Sequence, residues 1–195
     1  MRDIQLPVYR GEHFCKKEIL KQIDKGTAIE GQCEVDKMEI RRAVKSDRLQ
    51  IETLLYQVHK VHSDKRPDLF KDGQKKYTSA ELEELIEDDG RPIYVAEEDG
   101  NVLGYAFCVY KSQGNHSLQS IKTLYIDDLC VLEDIRGRGI GSQIYEYVLQ
   151  VARENGCYNV TLNVWECNEP AKKFYQKCGL QIQKYGMEKI LSDEV

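Results

Sequence analysis

The sequence predicts an α/β (α+β) fold: one domain over residues 37–195, preceded by an extension over residues 1–36. Three observations carry this expectation. Strand-like and helix-like stretches alternate from residue 38 onward. A glycine-rich turn joins a strand-like run at 124–132 to a helix-like run at 142–155. After that helix, Val160, Leu162 and Val164 alternate as a strand before another helix signal. Apolar residues that switch between a period of two and a period of 3.6 in this way mark layered helices and strands.

The elements follow in order. Residues 38–44 read as a strand. Ser46 suits the N-cap of the next helix, with Ile51, Leu54, Leu55 and Val58 on its apolar face. Arg66, Pro67 and Asp68 mark a loop. Thr78 and Glu81 form a capping box, with Tyr77 and Leu82 placed to staple the start of that helix; Leu82, Leu85 and Ile86 are its buried stripe. Residues 92–98 and 102–110 read as a hairpin about Asp99, Gly100 and Asn101, and 111–119 as a polar loop. Gly156 stops the helix after the glycine-rich turn, and residues 180–191 read as a last strand or hairpin. In the extension, Phe14, Ile19, Leu20 and Ile23 suit one short amphipathic helix ending at Gly26. The sequence leaves open whether it packs on the domain or mediates self-association.

The glycine-rich turn is Arg136-Gly137-Arg138-Gly139-Ile140-Gly141, followed by Ser142. Glycines let the backbone approach a ligand and take positive φ. The amides of a helix N-terminus, with the helix dipole, favour an anion. The arginines add charge that does not titrate near neutrality. A phosphate cradle is the resulting expectation. It is not a P-loop, since no lysine precedes Ser142. Nor is it a dinucleotide-binding turn, because the third glycine position, counted from Gly137, falls on Ser142. Further on, Asn168 suits an N-cap, Pro170 the first helical turn and Gly179 the C′ position. Asn168 and Tyr175 are two turns apart, so they share one helix face.

Arg136-x-x-Gly139-x-Gly141, followed by Asn168-x-x-Ala171-x-x-Phe174-Tyr175-x-x-x-Gly179, resembles the acetyl-CoA-dependent N-acetyltransferases of the GNAT superfamily. The resemblance covers residues 38–191 and is strongest over 124–179. Tyr125-Ile126-Asp127-Asp128-Leu129-x-Val131 and Asn168-Glu169-Pro170 are similar to the diamine branch, which acetylates spermidine, spermine and thialysine. The resemblance implies a mixed, mostly antiparallel sheet splayed at a β-bulge, with helices on both faces. It implies acetyl-CoA as cosubstrate. Leu129, Cys130 and Val131 would line the pantetheine arm, the backbone of Leu129 and Val131 bonding to it and one amide polarising the carbonyl. The turn from Arg136 to Ser142 (Arg136, Gly137, Arg138, Gly139, Ile140, Gly141, Ser142) would hold the pyrophosphate. Asn168 and Ala171 would contact the cofactor, and Tyr175 would stand near the sulfur as general acid. A homodimer is common in the family.

Composition supports a soluble cytoplasmic protein. Hydrophobic content is 41% and charged content 31%, ordinary for a globular chain. No apolar run is long enough to span a bilayer, and the first residues carry no signal-peptide core. The net charge of −5 argues against nucleic acid as a main partner and suits a cationic small molecule. The 7 cysteines (Cys15, Cys33, Cys108, Cys130, Cys157, Cys167, Cys178) include no C-x-x-C pair, and reduced thiols are expected. His13, His59, His62 and His116 show no ligand spacing, so no metal is expected.

Two residues remain for the acceptor amine, Asp127 and Asp128. Neighbouring strand residues point to opposite faces, and an unpaired buried carboxylate is costly. One would therefore be paired or exposed. In functional terms, Asp127 accepts the amine proton through water and Asp128 helps to hold a cation. The branch often carries glutamate at the position of Asp127. Tyr175 has a plain packing alternative, and the acidic run Glu81, Glu83, Glu84, Glu87, Asp88 and Asp89 reads as a solvated helix face. The expected activity is acetyl transfer to the primary amine of a di- or polyamine or an amino-acid-like amine. Aminoglycosides and protein N-termini are competing acceptors, and a non-catalytic acyl-CoA-binding module is the competing class.

Overall fold

In the computed structural model, residues 38–191 are described; the helix expected within residues 1–36 lies outside them. Five strands form one sheet in the order β1-β2-β3-β4-β5. β1 (Glu39–Arg42), β2 (Ile93–Glu98), β3 (Asn101–Gln113) and β4 (Ile121–Val131) pair antiparallel, and β5 (Asn159–Leu162) joins β4 in parallel. The helices are α1 (Arg48–Lys65), α2 (Ser79–Glu87), α3 (Ile140–Glu154) and α4 (Glu169–Lys177). The fold is thus the mixed, mostly antiparallel sheet flanked by helices on both faces.

The period-two strands supply two separate cores. Ile93, Val95, Tyr105 and Phe107 meet Ile51, Leu54, Leu55, Leu82 and Leu85 of α1 and α2 on one face. Ala96, Ala106, Cys108, Leu124 and Ile126 meet Ile144, Val148 and Ala152 of α3 on the other, with Phe174 of α4 alongside. Each fully buried Leu or Ile contributes about 1.5–3 kcal/mol. The Thr78–Glu81 capping box forms as expected: Glu81 N–H donates to Thr78 Oγ1 at 3.3 Å, and Thr78 N–H donates to Glu81 Oε2 at 2.7 Å. The acidic run is a paired surface. Glu83 bonds Arg48 at 2.9 Å, Glu87 bonds Lys45 at 2.6 Å and Asp88 bonds Arg91 at 2.6 Å.

Three local expectations are corrected. Ser46 is not the cap of α1. It lies in a 3-10 turn, Lys45–Asp47, and Asp47 holds the N-cap position without a side-chain bond to α1. Its carboxylate accepts from Val44 N–H at 2.9 Å and from both Arg41 terminal nitrogens at 2.7 and 3.0 Å. Burial alone would raise the Asp47 pKa, but Arg41 and the Val44 amide hold it below the usual carboxylate range. The polar loop expected at 111–119 begins later, because β3 runs on to Gln113 and pairs with β4 down to Ile121. Residues 180–191 contain no strand. Their apolar and polar residues alternate only briefly, Gly186 interrupts them, and Tyr185, Met187 and Leu191 face solvent, so there is no core to hold a ladder.

Gly104 lets α3 approach the sheet. A Cβ there would lie 2.7 Å from the Cys130 carbonyl oxygen and 3.1 Å from Ile144 Cδ1. Gly104→Ala should destabilise the fold by about 1–3 kcal/mol. The measurement is urea unfolding: a lower midpoint with an unchanged slope is expected, and an unchanged midpoint would show that the approach tolerates a methyl group.

Candidate active site

The site begins with one extra residue in β4. Phe107 of β3 pairs with Asp128, and the next residue, Cys108, pairs with Ile126, so Asp127 has no partner on β3. This is a β-bulge, which bends a strand and increases its twist. β5 pairs with β4 only from Thr123 to Ile126. Beyond the bulge, β4 from Asp128 onward has no β5 partner, and the sheet opens there. Leu132 N–H donates to Leu103 O, so alternation turns the backbone of Leu129 and Val131 away from β3 into the opening. The Val131 carbonyl accepts from Gln57 Nε2 at 3.0 Å and Arg136 Nε at 3.2 Å. A ligand bond to Val131 would therefore fall to its N–H.

The bulge also overturns the expectation that Asp127 and Asp128 face opposite ways. Before it, Leu124 and Ile126 point to the α3 face; after it, Cys130 points to the α1–α2 face. Both carboxylates end on that second face. Asp127 Oδ2 accepts from Lys76 Nζ at 2.6 Å and from Tyr77 Oη at 2.9 Å. Asp128 Oδ2 accepts from Tyr105 Oη at 2.8 Å. Phe107 braces both phenols, stacked on Tyr77 at 5.6 Å and edge-on to Tyr105 at 4.9 Å. Burial pushes the Asp128 carboxyl up to about 6, and the Asp127 charge adds to this, while the Tyr105 hydrogen bond and Lys76 oppose it. An acid in this range exchanges its proton near neutral pH.

The cradle lies where β4 turns into α3. Gly137 and Gly139 have φ of 88° and 84°, the left-handed region that glycine enters without strain. Gly139 is the N-cap of α3, and its neighbours Arg136, Gly137, Arg138 and Ser142 are exposed. This backbone fits a pyrophosphate: free amides, no Cβ in the way and a helix dipole behind. Arg138 rests on Glu98 at 3.4 Å and Arg136 on Glu133 at 3.8 Å, pairs that an anion can displace at small cost.

α4 closes the far side. Phe174 packs on the first turn of α3, where a Cβ on Gly141 would lie 3.5 Å from its ring. Asn168 caps α4, its Oδ1 accepting from Ala171 N–H at 3.4 Å. Tyr175, one position beyond Phe174, is half-buried, and burial raises its hydroxyl pKa, with the Asp128 charge next. The phenol therefore stays protonated at neutral pH. Cys130 is buried under Gln57, its thiol pushed up to about 12 by burial, so it is an inert wall. Along β4 from Ile121 to Tyr125, before the bulge, a cavity of about 170 Å³ is lined by residues that include Lys111, Thr123, Tyr125, Asn159 and Asn163.

Sequence reasoning missed Lys76, Tyr105 and the role of Tyr77. Tyr77 had a helix-staple reading, and neither Lys76 nor Tyr105 has a local spacing that ties it to the aspartates. Gln57 also escaped notice, though it bonds Glu133 N–H at 2.9 Å as well as Val131 and so fixes the approach to the cradle. His59 bonds the Lys71 carbonyl at 2.7 Å and His62 stacks on Phe70 at 5.2 Å, structural uses of both rings. Among the described residues, no cluster of His, Cys, Asp and Glu could hold a metal, and no helix is long and apolar enough to cross a membrane.

The sequence profile of the Acetyltransferase (GNAT) family matches residues 55–180, and the chain belongs to that family. It is 30% identical over 93 residues to a putative phosphinothricin acetyltransferase of Bacillus subtilis, covering 47% of this chain and 54% of that one. It is 32% identical over 80 residues to the thialysine N-epsilon-acetyltransferase of Bos taurus, covering 41% and 45% respectively. The matched region thus spans about half the length of these curated relatives. A crystal structure of a mutant of the BH1408 protein from Bacillus halodurans superimposes with a TM-score of 0.77 at 29% identity, covering 80% of this chain and 100% of that one.

Asp128 links the site to stability. Its folded pKa, about 6, lies above the ordinary aspartate value of 3.8, so the folded state binds this proton more tightly. The resulting stabilisation is complete below pH ~4 and is lost as pH rises through about 6. Asp128→Asn should therefore stabilise the fold by of the order of 2 kcal/mol at pH 8 and by little at pH 4. Thermal unfolding at both values checks this; equal effects at the two would contradict the raised pKa.

Proposed function

We propose that the chain is an acetyl-CoA-dependent N-acetyltransferase for a small cationic primary amine, either a di- or polyamine or an amino-acid-like amine. The observation that carries this reading is the bulge at Asp127. It turns two carboxylates to one face and leaves the adjacent β4 backbone open, within one strand of a glycine cradle at the α3 N-terminus. Two acidic groups side by side favour a cation, and similarity to a bovine thialysine N-epsilon-acetyltransferase and a putative bacterial phosphinothricin acetyltransferase supports the choice of acceptor. A reducing, cytoplasmic setting is in keeping with Cys108, Cys130, Cys157, Cys167 and Cys178, all of which are free thiols.

In this reading each residue has one task. The amides of residues 137–142 hold the pyrophosphate, aided by Arg136 and Arg138. The backbone of Leu129 and Val131 binds the pantetheine arm, and one amide polarises the thioester carbonyl as its oxygen gains charge. Asn168 directs its amide nitrogen to the same arm, since its oxygen caps α4. Asp127 and Asp128 seat the ammonium group and receive its proton, a water linking the short Asp127 side chain to the amine. Tyr175, kept protonated by burial, donates to the departing sulfur.

Release of CoA in the presence of 1,4-diaminobutane, spermidine, thialysine and an aminoglycoside tests the reading. Turnover with at least one amine is expected. Tight acetyl-CoA binding with no turnover on any amine would instead support a binding module. Tyr175→Phe should lower kcat about tenfold or more, within the range of lost acid catalysis, without changing the fold. A mutant that turns over like the wild type would remove Tyr175 from the mechanism. Asp127→Asn should lower kcat/KM about tenfold or more, and a variant that matches the wild type would exclude Asp127 as the proton acceptor.

A further inference from the structure

An amine already occupies the seat described above. Lys76 Nζ donates to Asp127 Oδ2 at 2.6 Å, the same oxygen that accepts from Tyr77. Its sequence neighbours anchor it on both sides. Lys75 is bonded to Glu52 at 2.6 Å and Ser79 at 3.3 Å, and the Tyr77 ring is stacked on Phe107. The Lys76 side chain is 42% exposed, so solvent reaches it. An ion pair this open is worth at most about 1 kcal/mol, so the amine leaves Asp127 and returns readily.

We propose that Lys76 is an internal acceptor: with acetyl-CoA bound and no free amine present, the chain acetylates its own Lys76 ε-amine. This rests on the acetyl-transfer reading of the site. The ammonium first gives one proton to Asp127. The nitrogen lone pair then forms a C–N bond with the thioester carbonyl carbon as the C–S bond breaks, and a second proton leaves the nitrogen as the amide forms. One of the two protons ends on the CoA thiol and the other in solvent. Nothing is oxidised or reduced. The amide of acetylated Lys76 is neutral and no longer pairs with Asp127, which leaves both carboxylates to a cationic acceptor.

The loop carries its own controls. Lys71 is exposed, and Lys75 is engaged with Glu52. The experiment incubates the full chain with acetyl-CoA alone and follows acetylation of Lys71, Lys75 and Lys76 by peptide mass spectrometry. Lys76 should react about tenfold or more faster than Lys71, as expected of an oriented intramolecular amine. Its rate constant should not depend on protein concentration. Asp127→Asn should slow Lys76 to the rate of Lys71. Equal rates at Lys71 and Lys76 in the wild type would overturn the proposal. So would unmodified Lys76 in a preparation that acetylates 1,4-diaminobutane, a result that leaves the acetyl-transfer reading standing. Unmodified Lys76 together with no turnover on any amine of the panel would overturn the two together.

Discussion

The whole site depends on the single unpaired residue in β4. With Asp127 left out of the β3–β4 register, β4 bends and parts from β5 after Ile126. The same displacement reverses which face each later side chain meets. A strand without the bulge would bury one of the two aspartates against α3 and leave β5 zipped along the backbone of Leu129 and Val131. Desolvating a lone carboxylate in that core would cost several kcal/mol. The bulge turns that liability into an arrangement in which each carboxylate has a phenol donor and lies beside an open edge.

The surrounding packing keeps the arrangement in place. Tyr105, Phe107 and Tyr77 form a row of rings whose two outer hydroxyls end on Asp128 and Asp127. The loop that brings Tyr77 to the row is tied down by Lys75 on Glu52, whose carboxyl is held at about 2 mainly by that bond, and by the Thr78–Glu81 capping box. On the opposite face, Gly104 allows α3 close to the sheet, so the cradle at its N-terminus sits directly after the open edge. Phe174 on that first turn then sets where α4 presents Asn168 and Tyr175.

The parts of the fold legible in the sequence were those governed by local rules. An apolar helical face placed α1, the Thr78–Glu81 pair marked the start of α2, Gly137 and Gly139 marked the cradle, and Asn168, Pro170 and Gly179 marked α4, because capping and positive φ are properties of a few adjacent residues. What could not be read depends on pairing between distant residues. The alternation rule put Asp127 and Asp128 on opposite faces, and only the register with β3 shows that they share one. Lys76, Tyr105 and Gln57 reach the site across 51, 23 and 74 residues of chain, which no spacing pattern encodes. Residues 180–191 failed for a related reason: a strand needs a partner, and short alternation does not supply one.

The central claim is that the bulge exposes the β4 backbone to an acyl-CoA arm whose phosphates rest on the α3 N-terminus. Backbone amide NMR during titration with CoA tests it most directly. The account predicts that the largest shifts fall on Leu129, Val131 and residues 137–142, with smaller ones at Asn168. Saturable binding that leaves those amides unmoved and shifts another part of the sheet would contradict it.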